Sequence, residues 1–270
     1  MRIAVTGAGG FVGRHVLNEL ARRDVDVVAT TRTAHARQQV LPKLRWVELD
    51  LTRPPANSYE LLGKPDVLLH LAWGGLPNYR SLHHFEIELP SHYAFLSSLV
   101  RQGLLAMVVT GTCFEYGMQS GPLAASRDTH PDNPYGLAKD CLRKQLQSLQ
   151  RTQPFNLTWA RLFYFYGEGQ GEKSLWSQLQ RAVGEGATVF NMSGGEQLRD
   201  YLPVSEVARQ LVEIALGDND RGVTNICSGR PVSVRSLVEG WIAEHGWNIE
   251  LNLGFYPYPD YEPMAFWGEP

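Results

Sequence analysis

Through the first half of the chain, short β-branched runs alternate with stretches whose apolar residues return every three or four positions. Residues 3–6, 25–31, 45–49, 66–71, 105–110 and 155–161 read as strands. The runs at 66–71 and 105–110 are almost continuously apolar, as strands buried on both faces of a parallel sheet are. Residues 11–23 place Val12, Val16, Leu17 and Leu20 on one helical face, and residues 82–101 predict a long helix. A further helix over 133–150 opens on Asn133, a capping residue, and Pro134, whose ring is pre-set for a first helical turn. Strand–helix alternation of this kind predicts an α/β fold with a Rossmann-like, doubly wound parallel sheet. Beyond residue 166 glycines interrupt the pattern, leaving helical stretches at 175–183, 204–216 and 232–245 and one short strand at 224–226. This part reads as too broken to continue the sheet. The expected division is a sheet domain over 1–166 and a smaller lobe over 167–270, interleaved at an approximate boundary, with the lobe over the sheet's carboxyl edge.

Composition narrows the class. The 270 residues are 43 % hydrophobic and 20 % charged, which is ordinary globular usage and excludes a disordered chain or a coiled coil. Twenty-five basic against 28 acidic residues give a net charge of −3, so the basic excess of a nucleic-acid binder is missing. No run approaches the ~18 apolar residues of a membrane span. The start, MRIAVTG, enters a strand pattern without a leader-like segment, and a cytoplasmic location is expected. Three cysteines without paired spacing argue against a disulfide framework, and neither they nor the eight histidines have metal-ligand spacing. His83 and His84 read as surface residues, and His70 as packed.

Residues 6–13, TGAGGFVG, put Gly7, Gly10 and Gly13 between the first strand and the first helix, whose opening residues are Phe11 and Val12. Glycines there permit a tight turn, close approach of backbone to a pyrophosphate, and helix–strand packing, while the helix start offers free N–H groups. A bound dinucleotide is the expectation. An NAD site usually carries an acid ~20 residues later, at the end of the second strand. This chain has Ala29, Thr30, Thr31 and Arg32 there, and Asp24 and Asp26 lie at the strand's other end. Arg32 suits a 2′-phosphate, so NADP is favoured over NAD; a solvated surface arginine is the alternative.

Tyr135 and Lys139 stand four apart on one helix face. An adjacent ammonium favours a phenolate, so such a pair can do acid–base work, although alone it is more often ordinary surface. With TGAGGFVG at 6–13, LDL at 49–51, HLAW at 70–73, TGTCFEYG at 110–117, PYGLAK at 134–139, ARLFYFYG at 160–167, GGEQLRDYLPV at 194–204 and NICSG at 225–229, the chain resembles the extended short-chain dehydrogenase/reductase family. Within it, the nucleotide-sugar epimerase, dehydratase and ketoreductase group is nearest. The resemblance implies Tyr135 as general acid/base, Lys139 on the nicotinamide ribose lowering the Tyr135 pKa, and Thr112 bonded to the reacting oxygen. It implies Asp50 and Leu51 beside the adenine, and Leu71, Ala72, Trp73 and Thr110 along the cofactor. Leu162 and Tyr164 would lie near the nicotinamide, with Tyr164 also touching substrate. Arg199 would hold the sugar nucleotide's diphosphate, with Lys173 a weaker candidate and an Arg199–Asp200 salt bridge the alternative.

Departures from the family pattern narrow the reaction. Cys113 and Phe114 replace the Asp–Glu pair of sugar 4,6-dehydratases, and Glu115, one position on, should point elsewhere. Cys113 is either a base or a small buried residue. Glu88 and Tyr164 replace asparagines common in relatives, and Pro203 with Ser205–Glu206 departs from the usual lobe helix. The leading expectation is NADPH-dependent reduction of a nucleotide-linked 4-keto-6-deoxy sugar, a dTDP-sugar favoured. The alternatives are an NAD-dependent nucleotide-sugar epimerase and a non-catalytic dinucleotide sensor. The resemblance also implies a homodimer that pairs the helices at 82–101 and 133–150 in a four-helix bundle.

Overall fold

In a computed structural model of the chain, which describes residues 1–33, 43–217 and 220–270, seven parallel strands form one sheet. They are β1 (Arg2–Thr6), β2 (Asp26–Thr31), β3 (Leu44–Glu48), β4 (Val67–His70), β5 (Ala106–Thr112), β6 (Asn156–Leu162) and β7 (Gly222–Ile226), in the order β7-β6-β5-β4-β1-β2-β3. The chain runs outward from β1 through β2 to β3, then returns to β4 on the other side of β1. Such a reversal leaves a crevice at the carboxyl ends of β1 and β4, where doubly wound folds take ligands.

Helices cover both faces. On one, α1 (Phe11–Leu20) buries Val16, Leu17 and Leu20 against Ile3, Val5 and Val27 of the sheet. On the other lie α2 (Leu89–Arg101), through Phe95, Leu96 and Leu99, and α3 (Pro134–Thr152), through Leu142, Leu146 and Leu149. The helix expected over 82–101 is not uniform. His84–Glu88 form one wide π-helical turn before α2 begins. Pro90, with no N–H to give, stands in the first turn of α2, which disfavours a regular run through that point.

The smaller lobe holds α4 (Leu175–Gly184) and α6 (Val234–His245) around Trp176, Leu179, Val238 and Trp241. Between them the chain goes back to the sheet, contrary to the expectation that it does not continue there. Helix α5 (Val204–Leu216) packs Val207, Leu211 and Val212 into the same core as α1, and β7 then pairs in parallel with β6. The glycine-rich stretch ahead of α5 is an insertion and not an end to the sheet. Among the described residues no helix is long and apolar enough to cross a membrane.

Candidate active site

The glycine turn builds one wall of a cavity of about 640 Å³ at the sheet's switch point. Gly7 has φ +70°, and a Cβ there would lie 2.7 Å from the Ala72 backbone nitrogen. A Cβ on Gly13 would meet the Gly7 carbonyl at 2.2 Å. Gly10 caps α1 in an extended conformation, with no side chain bonding the first-turn N–H groups. These groups form a cradle that only glycine permits, and it fits a dinucleotide's pyrophosphate. The rest of the cavity is lined by residues 30–33 and 49–52 at the ends of β2 and β3, by 71–74 after β4, and by Glu88 and His92.

Eight expected cofactor residues, Gly7, Gly10, Arg32, Asp50, Leu51, Leu71, Ala72 and Trp73, therefore share this cavity. Arg32 is exposed at its rim. The Asp50 carboxyl accepts from Thr52 N (2.9 Å) and Thr52 Oγ1 (2.8 Å), and these bonds hold it below the usual carboxylate range. Other expected residues lie outside the lining. Phe11 packs on Phe165 with centroids 5.8 Å apart, Val12 and Leu162 pack against the core, and Gly13 sits under the turn. Thr110 is buried and donates to the His70 carbonyl at 3.2 Å.

The catalytic candidates meet at the start of α3. Asn133 caps the helix by accepting from Gly136 N at 2.9 Å, and a Cβ on Gly136 would lie 2.6 Å from the Phe114 carbonyl, so α3 can close on the turn after β5. That turn, Cys113–Tyr116, has a capping box: Thr112 Oγ1 accepts from Phe114 N, and Glu115 accepts from Thr112 N at 2.9 Å. Glu115 points away from the Tyr135 hydroxyl's side of the turn into the core, a burial its sequence position did not announce, where it also accepts from Trp159 Nε1 (2.9 Å) and Arg161 Nε (2.7 Å). The Tyr135 hydroxyl shares a hydrogen bond with Thr112, and its ring packs against Tyr79, His84, Trp73 and Phe114.

Burial dominates the charge states here. Contrary to the lowering expected from Lys139, burial pushes the Tyr135 phenol well above its ordinary range, against the pull of the Thr112 bond, and keeps it protonated. Burial brings the Lys139 ammonium down to about 7, opposed by the charges of Glu115 and Glu88. Lys139 Nζ donates to the Thr110 carbonyl at 2.8 Å and lies 4.1 Å over the Trp73 ring. Cys113 is buried and its thiol is pushed far up, so it is a packed residue and not a base.

Several side chains important to this geometry are not legible in the sequence pattern. His84 is a correction: expected at the surface, it is fully buried, accepts from Trp73 Nε1 at 3.1 Å and lies 5.3 Å from Tyr135 ring to ring. His70 is packed, as expected, and bonds Thr6 and His92. Arg199 is buried and pairs with Glu262 at 3.0 Å, not with Asp200, whose carboxyl accepts from Ser228 N and Gly229 N. Its guanidinium also lies 4.6 Å over Phe266. Tyr164 stands beside Glu262, and burial with that negative charge pushes its phenol upward. Lys173 is exposed on the glycine-flanked segment. Among the described residues no group of three or more His, Cys, Asp or Glu side chains could hold a metal.

Residues 3–227 match the model of the "NAD dependent epimerase/dehydratase family". Over 270 residues the chain is 32 % identical to dTDP-6-deoxy-L-talose 4-dehydrogenase (NAD(+)) of Aggregatibacter actinomycetemcomitans, covering 99 % of each. A structure of MoeE5 in complex with UDP-glucuronic acid and NAD is 27 % identical, with TM-score 0.82, over 100 % of this chain and 90 % of that one. UDP-glucose-4-epimerase from Stenotrophomonas maltophila, at 21 % identity and TM-score 0.86, covers 100 % of this chain and 90 % of its own and shares the fold.

Proposed function

The chain belongs to the NAD dependent epimerase/dehydratase family and is an oxidoreductase of the short-chain dehydrogenase/reductase type; from that premise we propose that it reduces the 4-keto group of a nucleotide-activated 6-deoxy sugar, dTDP-linked, with NADPH as reductant. The observation that carries this reading is Tyr135, a phenol kept protonated by burial and hydrogen-bonded to Thr112. Reduction of a ketone needs a proton donor at the oxygen, and oxidation needs a base. Tyr135, protonated and hydrogen-bonded to Thr112, can supply that proton, although burial strengthens its hold on it and the charge developing on the keto oxygen must draw it off. The A. actinomycetemcomitans relative is named for oxidation at position 4 of a dTDP-6-deoxy sugar. Run backwards, that reaction is the reduction proposed here.

A nicotinamide bound in the cavity supplies the hydride. Gly7 and Gly10 would hold its pyrophosphate, Leu71, Ala72 and Trp73 would flank its middle, and Lys139 would bind its ribose. Thr112 and Tyr135 donate hydrogen bonds to the keto oxygen, and Tyr135 releases its proton as negative charge develops there. Arg199 anchors the substrate diphosphate, exchanging Glu262 for phosphate oxygens, and Lys173 is a second phosphate contact. Deuteride carried on NADPH is expected at C4 of the sugar product. Return of unlabelled sugar, epimerised and without net oxidation of NADPH, would replace this reading by the epimerase one.

NADPH is proposed over NADH because no carboxylate closes β2 and Arg32 stands at the cavity rim. The relative's name specifies NAD(+), so the distinction needs its own test. Arg32→Ala is expected to raise the KM for NADPH by ~10- to 100-fold, the worth of a charge-assisted bond, and to leave that for NADH within about threefold. Equal changes for both cofactors would remove the preference. We also propose a homodimer through residues 82–101 and 133–150, where Ile87 (43 % exposed) and Leu137 (39 %) leave apolar surface uncovered. Light scattering should give twice the 30.3 kDa protomer mass, and a monomer would exclude this assembly.

A further inference from the structure

Under the cavity wall a hydrogen-bonded chain crosses the molecule from β1 to the turn before α2. Thr6 Oγ1 lies 2.8 Å from His70 Nδ1, His70 Nε2 2.7 Å from His92 Nδ1, and His92 Nε2 2.9 Å from Glu88 Oε2. Glu88 Oε2 also accepts from Gly74 N at 2.7 Å, and Glu88 Oε1 lies 2.9 Å from His83 Nε2. We propose that Glu88 is a positioning residue that sets the cofactor-facing wall formed by Trp73 and Gly74, by fixing the ring tautomers of His92 and His70 and the path of the loop after β4.

The direction of every bond follows from one fact: an ionised carboxylate only accepts. His92 and His83 therefore each donate through Nε2. A neutral His92 must then accept at Nδ1, so His70 carries its proton on Nε2, and His70 Nδ1 in turn accepts from the Thr6 hydroxyl. All four groups are satisfied in a single arrangement, with no orphaned donor. Burial holds His70 and His92 below the ordinary histidine range, which keeps both rings neutral. Glu88, although burial opposes its charge, is held at about 2 by the bonds from His92, Gly74 and His83.

Glu88 and His92 line the cavity themselves, and the chain shapes its wall at two further points. His92 stacks on Trp73, with centroids 4.7 Å apart and planes 22° from parallel, and Lys139 Nζ lies over the Trp73 ring. Trp73 is fixed at its other end by His84, which accepts from the indole N–H and donates to the Asn78 carbonyl at 2.9 Å. Gly74 is the second point. A Cβ there would lie 2.5 Å from Glu88 Oε1, so a larger residue would displace the carboxylate from the loop. Both Trp73 and Gly74 line the cavity, so an error in either ring or loop alters the surface a dinucleotide meets.

This inference deepens the proposed cofactor site and rests on it. Its test measures cofactor binding without any sugar. Glu88→Leu removes both acceptor oxygens and the three hydrogen bonds they take, and is expected to raise the Kd for NADPH, followed by tryptophan fluorescence, at least tenfold. Glu88→Gln can keep its carbonyl oxygen toward Gly74 and His92 and turn its amide to His83, whose half-exposed ring can change tautomer. It is expected to bind NADPH within about threefold of the wild type. Wild-type affinity in Glu88→Leu, or equal loss in both variants, would overturn the proposal. If Glu88→Leu does not fold, nitrogen-15 NMR of the wild-type imidazoles decides: His70 and His92 both protonated at Nε2 and neutral near pH ~6 support it, and either ring protonated at Nδ1 overturns it. A wild-type protein binding neither NADPH nor NADH would count against the proposed function, while the ring tautomers would still decide this geometry.

Discussion

Tyr135→Phe is expected to lower the rate of ketone reduction by about three orders of magnitude, within the range a positioned general acid supplies. The substitution removes one oxygen and keeps the ring, which packs against Trp73, Tyr79, His84 and Phe114. The loss should therefore fall on kcat, with the KM values for cofactor and sugar nucleotide nearly unchanged, because the hydroxyl acts only as charge develops at the keto oxygen. Stability should change by no more than ~1 kcal/mol, the net worth of the Thr112 bond. Single-turnover kinetics beside a denaturation curve separate the two effects. A variant retaining more than a tenth of wild-type turnover would show that another group protonates the oxygen.

Glu115→Ala is expected to be the most destabilising single change at the site. The Glu115 carboxylate is completely buried and accepts from Thr112 N, Trp159 Nε1 and Arg161 Nε. Arg161 is itself buried, with its remaining partners the Ala125 carbonyl at 3.2 Å and the face of Tyr116 at 4.5 Å. Removing the carboxylate leaves an uncompensated guanidinium and indole N–H, a loss of ~3–5 kcal/mol and of roughly 10 °C in Tm for a chain of this size. Activity should fall as well, since the capping box that orients Thr112 opens. Glu115→Gln keeps one acceptor and should lose less. Calorimetry on both variants checks this, and a loss below ~1 kcal/mol for Glu115→Ala would mean the network is not what holds the turn.

The parts of this molecule legible in the sequence are those written in short-range spacing. The glycine turn, α1 and the α3 pair of Tyr135 and Lys139 are set by residues within a turn or two of each other; the structure puts the glycine turn at the switch point of the sheet and the Tyr135–Lys139 pair against Trp73 of the cavity wall. Long-range partnerships leave no such trace. Residue spacing does not announce that Val204–Leu216 packs beside α1 or that Gly222–Ile226 completes the sheet. Nor does it announce that Glu262 reaches Arg199 across 63 positions. The four-residue spacing of Glu88 and His92 was visible, but its meaning depended on His70, 22 positions before His92. His84 reads as surface because nothing in its local spacing announces the partners that bury it, Trp73 and Tyr135. The segment around it folds back over Tyr135, whose N–H donates to the Tyr79 carbonyl at 3.1 Å.

The central claim is net reduction of a nucleotide-linked 4-keto-6-deoxy sugar. Its most direct test is the absorbance of reduced nicotinamide when the purified protein meets NADPH and a dTDP-4-keto-6-deoxy sugar. Loss of one NADPH per sugar reduced, abolished in Tyr135→Phe, is the expected result. Unchanged absorbance with NADPH and with NADH alike, from protein that folds and binds the cofactor, would contradict the claim.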